Sequence, residues 1–379
     1  MKTNFLFVIF LFATIYSNAQ QTLNESMLHD GVTREYIVYV PAVYNGSSSV
    51  PLLFNFHGYT QSANNQMSYG NMRAVADTAG FILVYPQGTL FSGSPHWNVG
   101  SWTSGSTADD IGFTEAMIDT LAANYNIDLN RVYSCGYSNG GYFSFVLACQ
   151  LSAEIAAIGS VGGTMSTETY NSCNPSHPTP VVTIHGINDA IISYFGVYPN
   201  NSKSLSDVNT YWANYNNTIV PPVVSTLPNI DTTDGSTAEL SLFDNGDNCT
   251  SVEHYKVIGG GHAWPGSWGN MDINADAVIW SFVSKYDLNG LIGCATTSIN
   301  ENNNTQENYK IYPNPVHTQI TLDLGLAVEK EFRLYNPIGE LVLTGVLHSQ
   351  ISTIDLSSLP PNVYVLNIDN HSIKLIKTE

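Results

Sequence analysis

Apolar residues in the first three quarters of the chain come in short unbroken runs separated by longer amphipathic stretches. The runs at 51–57, 81–85, 131–136, 155–161 and 180–185 read as strands buried on both faces. Between and after them, 65–79, 108–125, 139–149, 204–215 and 274–286 carry helical spacing. In the second of these, Ile111, Ile118, Leu121, Ala122 and Tyr125 fall on one face. Strands alternating with helices predict a mostly parallel sheet covered on both sides. Thr237–Phe243 and Val252–Ile258 flank Asp244-Asn245-Gly246 and predict a hairpin.

The last stretch is patterned differently. Ile320, Leu322, Leu324 and Leu326 alternate with polar or small residues, a period of two. Runs at 332–335 and 341–346 flank Asn336-Pro337-Ile338-Gly339, and runs at 363–368 and 373–376 flank Asp369-Asn370. This predicts a small all-β sandwich domain over 309–379. Residues 299–308 are Asn-rich, lack apolar periodicity and read as a linker. The larger α/β domain then covers 20–298.

Composition bounds the function. Hydrophobic residues make up 43% of the 379, which supplies a large core and excludes global disorder. Charged residues are only 11%, against roughly 25% in ordinary soluble domains, so the surface is built from neutral polar groups. The formal net charge is −19, which disfavours nucleic acid and anionic lipid as partners. Residues 20–298 hold 6 basic and 22 acidic side chains, and residues 299–379 hold 5 and 9, so the acidity belongs to the larger domain. A neutral, aromatic-rich surface suits a neutral polymer.

The N-terminus has the form of a secretory signal. Lys2 precedes an uncharged apolar run, and Ser17-Asn18-Ala19 offers small residues for cleavage before Gln20. The run is too short to span a bilayer, and no transmembrane segment is expected elsewhere. Export permits disulfides among Cys135, Cys149, Cys173, Cys249 and Cys294. Cys149 with Cys173 is the favoured pair, Cys249 with Cys294 is a second option, and Cys135 reads as a buried free thiol. There is no zinc-like Cys/His spacing, so a structural metal is not expected; no cofactor is expected either.

Gly136-Tyr137-Ser138-Asn139-Gly140 has the form G-x-S-x-G between an apolar run and a helical one. A strand, a sharp turn and a helix are what lift a nucleophilic serine clear of a sheet. A serine hydroxyl is a weak nucleophile and needs a base, which needs an orienting carboxylate. Asp189 follows the 180–185 run and His262 follows Gly259-Gly260-Gly261, giving the order Ser, Asp, His. His57 and His185 rival His262 as base but read as structural residues beside the site. Asp272 and Asp276 rival Asp189 but read as N-terminal helix charges. Ester cleavage passes through an oxyanion that needs N–H donors. The backbone N–H groups of Tyr59, with Thr60 as a lesser option, and of Asn139 are the expected donors. Trp264 and Trp268 after the histidine, with Trp97 and Trp102 in the Gly/Ser-rich loop 92–106, either wall a substrate cleft or pack over the core.

With those residues in view, 27–290 resembles the secreted esterases grouped as polyhydroxybutyrate depolymerases and feruloyl or acetyl-xylan esterases. The pieces that carry the resemblance are Phe56-His57-Gly58-Tyr59-Thr60-Gln61, Asp109-Asp110-Ile111-Gly112-Phe113, Gly136-Tyr137-Ser138-Asn139-Gly140-Gly141, His185-Gly186 with Asp189, and Gly259 through Gly266. It implies an α/β-hydrolase fold, a Ser138–His262–Asp189 triad and no metal. Ala263 and Tyr59 stand where many relatives have Thr and Cys. The tail, with Tyr312-Pro313-Asn314-Pro315 and a terminal Lys374-Leu375-Ile376-Lys377, looks like a type IX secretion C-terminal sorting domain. That implies the secretion machinery as a partner and an extracellular or surface-attached protein that passes through the periplasm. The expected function is cleavage of feruloyl or acetyl esters on plant polysaccharide through an acyl-enzyme. A polyhydroxybutyrate depolymerase is the alternative, and a peptidase, an acyltransferase or a non-catalytic binding module are alternatives of other classes.

Overall fold

The computed structural model describes residues 20–196, 201–294, 310–324, 329–336, 340–368 and 371–378. The expected signal segment, the 299–308 linker, Leu326 and the two tail turns at 337–339 and 369–370 lie outside the described residues. The chain divides into two compact units, 1–295 and 296–379.

The larger unit opens with an antiparallel pair, β1 (Gln21–His29) and β2 (Val32–Val40). Then come β3 (Val50–Phe56), α1 (Ala63–Tyr69), α2 (Arg73–Ala79) and β4 (Ile82–Pro86). The two-residue strands β5 (Leu90–Phe91) and β6 (Ser94–Pro95) make a small hairpin, followed by α3 (Asp110–Asn124), β7 (Ile127–Tyr137) and α4 (Asn139–Gln150). Next are β8 (Ala157–Val161), α5 (Thr167–Ser172), β9 (Val181–Gly186), α6 (Leu205–Tyr215), β10 (Val223–Thr226), β11 (Thr237–Phe243) and β12 (Val252–Ile258). The unit ends in α7 (Ala275–Val283) and a short hairpin of β13 (Tyr286–Asp287) with β14 (Gly290–Leu291). One ten-stranded sheet runs β1-β2-β4-β3-β7-β8-β9-β12-β11-β10. Its six central strands, β4 to β12 in that order, are parallel, and antiparallel strands close both flanks.

The unbroken apolar runs are explained by this layering. Alternate residues of each central strand enter different cores. Leu52, Phe54 and Phe56 pack with α3, α4 and α6, whereas Leu53, Leu83 and Tyr85 pack with α1, α2 and α7. Helix α4 is buried on nearly every side, as its apolar composition all round requires. On α3 the buried face runs through Phe113, Met117, Ile118 and Leu121; Ile111 and Ala122 are only partly buried.

The predicted helix 65–79 is two helices. The break falls at Gly70, whose carbonyl accepts from Asn55 Nδ2 at 3.1 Å and from the Tyr85 hydroxyl at 2.9 Å. Those buried donors take the carbonyl away from helix continuation, a contact that local spacing cannot reveal.

Two disulfides, Cys149–Cys173 and Cys249–Cys294, are formed, and Cys135 is a buried free thiol. Among the described residues no helix is long and apolar enough to cross a membrane.

The smaller unit is all β. Strands β15 (Lys310–Tyr312), β16 (Gln319–Asp323) and β19 (Ile351–Asp355) form one antiparallel sheet. Strands β17 (Lys330–Tyr335), β18 (Leu341–Leu347), β20 (Asn362–Ile368) and β21 (His371–Lys377) form another, ordered β18-β17-β20-β21. Ile320 and Leu322 from the first sheet share one core with Leu334 and Leu366 from the second, which makes the unit a sandwich.

Candidate active site

In an open parallel sheet the loops beyond the carboxyl ends of the strands form the natural crevice. Here β3 ends at Phe56 and leads into His57-Gly58-Tyr59, β7 ends at Tyr137 and leads into Ser138, and β9 ends at Gly186 just before Asp189. β12 ends at Ile258, four residues before His262. Four separate strands thus deliver the predicted groups to one edge.

Ser138 sits at φ 53°, ψ −115°, a strained conformation for a residue with a side chain. The turn closes because its glycines leave room. A Cβ on Gly140 would lie 2.1 Å from the Phe56 carbonyl oxygen, so strand β3 and helix α4 meet only where no side chain intervenes. The Ser138 N–H donates to Val161 O at 2.8 Å, tying the elbow to the end of β8. The next residue, Gly162, lies against the His262 ring, where an added Cβ would meet Nδ1 and Cε1 at 3.2 Å. The Tyr137 ring is 4.8 Å from the His262 ring, centroid to centroid. The serine elbow and the histidine ring, which come from different strands, therefore both pack against the Val161–Gly162 segment at the end of β8. Among the described residues Ser138 Oγ makes no hydrogen bond of its own.

His262 Nδ1 donates to Asp189 Oδ2 at 2.6 Å. Asp189 Oδ1 accepts the N–H groups of Ile191 and Ile192 at 2.9 and 2.8 Å. Burial by itself would push the Asp189 carboxyl up, but hydrogen bonds from His185 and His262 hold it well below the usual carboxylate range. The result is an ionised carboxylate facing Nδ1, which leaves Nε2 of His262 as the free acceptor.

His57 and His185 sit beside this pair as fixed groups. The His185 Nε2 donates to Ile192 O at 2.9 Å and lies 3.3 Å from Asp189 Oδ2, fully buried. His57 Nδ1 donates to Gly58 O at 2.7 Å, and its Nε2 accepts the Gly88 N–H at 2.9 Å. Burial lowers the His57 pKa to about 4, so the ring is neutral.

The loop after β3 separates the two donors expected there. Thr60 N–H is taken by Pro95 O at 2.9 Å, whereas Tyr59 N–H has no acceptor among the described residues. In a trans peptide the N–H points opposite to the carbonyl it is bonded to. Because Gly58 O is held by His57 and by the Gln61 N–H at 3.2 Å, Tyr59 N–H is aimed away from both. Asn139 is the first residue of α4, so its N–H lacks a helical acceptor.

The four tryptophans do not act alike. Trp97 is 0% exposed and Trp264 is 1% exposed, so neither presents a face to a substrate. Trp97 stacks on Phe143, and both its N–H and its carbonyl are bonded by the Asn139 side chain, at 2.7 and 3.0 Å. Trp264 donates from its indole to Asp276 Oδ1 at 3.0 Å. Trp268 is 37% exposed and Trp102 is half-buried, edge-on to Tyr59 at 5.2 Å. Nor do the Asp109-Asp110 residues join the site. Asp110 pairs with buried Arg34 at 2.7 Å, and Asp109 caps α3. Asp272 is likewise spent on the N–H groups of Ile230 and Asp231.

Sequence reasoning passed over Tyr69 and Tyr137. Tyr69 meets Tyr137 edge-on at 5.5 Å and Trp268 edge-on at 5.0 Å. Tyr137 lies inside the G-x-S-x-G motif and could have been flagged by position; Tyr69 carries no local signal.

Residues 34–193 match the esterase PHB depolymerase family, and residues 310–378 match the secretion system C-terminal sorting domain. A bifunctional acetylxylan esterase/xylanase of Neocallimastix patriciarum is 28% identical over 276 residues, 73% of this chain and 36% of that protein. Feruloyl esterase B of Piromyces equi is 27% identical over 274 residues, 67% of this chain and 46% of that protein. The chain thus spans less than half the length of these two relatives. Among solved structures, an acetyl xylan esterase from Aspergillus awamori superposes with a TM-score of 0.50 at 17% identity, over 70% of this chain and 99% of that one. The larger unit has the α/β-hydrolase fold. The tail is a sorting domain, which places the protein outside the cell or on its surface.

Proposed function

We propose that the chain is a serine carboxylesterase that cleaves ester bonds on an extracellular polymer. The observation that carries this reading is the Asp189–His262 pair at 2.6 Å, its histidine packed on the same Val161–Gly162 segment that ties down the strained Ser138. His262 Nε2 removes the Ser138 proton as Oγ attacks the ester carbonyl. The oxyanion is stabilised by the N–H groups of Tyr59 and Asn139. The tetrahedral intermediate collapses, the alcohol leaves with the proton from His262, and an acyl-enzyme remains. His262 then activates a water that releases the acid and restores Ser138, while Asp189 holds the imidazole in its tautomer. No step calls for a cofactor.

Feruloyl or acetyl esters of plant polysaccharide are the favoured substrates. The relatives named above act on such esters by their names, and the sparse charge of the chain suits a neutral polymer. The family matched over 34–193 makes polyhydroxybutyrate the alternative. The tail would engage the secretion machinery.

Ser138→Ala tests the reading. The variant should melt like the parent and lose turnover of a nitrophenyl ester, and a fluorophosphonate should label only the parent. Normal turnover in the variant would overturn the reading. Ferulate or acetate release from substituted xylan, set against 3-hydroxybutyrate release from polymer film, assigns the substrate.

A further inference from the structure

The loop that carries the Tyr59 N–H is braced by a side chain from α1. Gln61 closes the loop on itself. Its N–H donates to Gly58 O at 3.2 Å, and its Oε1 accepts the Gly58 N–H at 3.1 Å. That same Oε1 accepts the hydroxyl of Tyr69, the last residue of α1. Burial pushes the Tyr69 hydroxyl pKa up, so it remains a donor across the working pH range. The Tyr69 ring meanwhile packs edge-on against Tyr137, next to Ser138, and against Trp268, in the segment after His262. One side chain therefore touches the oxyanion loop, the nucleophile turn and the base segment.

Resting on the reading of the site given above, we propose that Tyr69 and Gln61 are positioning residues that fix the Gly58–Tyr59 peptide and so aim the Tyr59 N–H at the developing oxyanion. The reason is geometric. Gly58 N–H and Gly58 C=O flank one α-carbon. Fixing both through Gln61 leaves the following peptide plane little freedom. The Gln61 amide rotates about its own χ angles unless a second donor holds Oε1, and Tyr69 supplies that donor. A donor displaced by a fraction of an ångström stabilises the transition state less while leaving ground-state binding nearly untouched.

The experiment is a double-mutant cycle on nitrophenyl acetate with Tyr69→Phe, Gln61→Leu and the pair together. Tyr69→Phe keeps the ring packed on Tyr137 and Trp268 and removes only the hydroxyl. It should lower kcat about tenfold with KM changed by less than about twofold. Gln61→Leu should lower kcat at least as much, and the double variant should fall no further than Gln61→Leu alone, because both substitutions break the same link. Thermal melting is read alongside to show that each variant folds. A kcat loss under about threefold in Tyr69→Phe, a loss carried in KM, or additive losses would overturn the proposal while the parent remains active and Ser138→Ala silent. A parent without esterase activity, or a fully active Ser138→Ala variant, would overturn the reading of the site itself and this inference with it.

Discussion

His262 Nδ1 lies 2.6 Å from Asp189 Oδ2, and the other oxygen of that carboxylate is already committed to the N–H groups of Ile191 and Ile192. The carboxylate cannot rotate to another partner without breaking two backbone bonds, so it fixes which ring nitrogen carries the proton. Replacement by an amide keeps the shape and removes the charge that stabilises the imidazolium. Asp189→Asn is expected to cut kcat by about 10⁴-fold, with a folded protein by circular dichroism. A variant retaining a tenth of parental turnover would show that Asp189 is not the orienting acid.

The elbow depends on a missing side chain. At Gly140 a Cβ would meet backbone atoms, Phe56 O at 2.1 Å and Phe56 C at 2.5 Å, which cannot swing aside as a side chain can. Gly140→Ala must therefore push α4 away from β3, the strand that carries the oxyanion loop. The expected result is a loss of several kcal/mol, read as a lower denaturation midpoint, with a fall in kcat. Parental stability and turnover would contradict the close approach.

The tryptophans should separate by measurement. Trp97 is buried and holds both the Asn139 amide and, through its indole N–H, His57 O at 2.9 Å. Trp97→Ala should cost about 3–5 kcal/mol of stability. Trp268 is more than a third exposed, so Trp268→Ala should leave the melting temperature within a few degrees and change kcat/KM on aromatic esters more than on acetate. The opposite pattern would reverse their roles.

Asp276 predicts a pH effect on stability. Burial raises its carboxyl from 3.8 to about 6, and the Trp264 indole N–H opposes this only in part. Between those values the folded protein holds a proton that the unfolded chain has released. The contribution of Asp276 to stability is thus largest at the acid end and is lost as pH rises through about 6. Asp276→Asn keeps an oxygen for the indole and cannot ionise. The variant should gain stability over the parent at pH 8, and the gain should shrink toward pH 4. His57 and His254, whose pKa values burial lowers to about 4 and about 3, titrate in both proteins and cancel in this difference. A difference independent of pH would contradict the assignment.

The candidate site was legible in the sequence because each of its groups is anchored to the end of a strand. An apolar run buried on both faces announces itself locally, and the residues just past it must lie at the sheet edge. That is why Ser138, Asp189 and His262 could be placed near one another from spacing alone, and why Tyr59 and Asn139 stood out as donors. The favoured Cys149–Cys173 pair was readable for a different reason, that the two cysteines bracket one short segment of 24 residues.

What the sequence determined by itself, then, was the alternation of strands and helices, the order of the candidate groups and the separate β-patterned tail. Only the tertiary structure decided which tryptophans are buried, where the first long helix breaks, and which of Tyr59 and Thr60 keeps a free N–H. It alone brought Tyr69 to Gln61, Tyr137 and Trp268. The physical reason is that periodicity records whether a side chain is buried, not against what. Gly70 is broken from its helix by Asn55 and Tyr85, Thr60 is disarmed by Pro95, and Trp264 is buried through Asp276. Each outcome is set by a partner whose position depends on how the whole sheet is assembled.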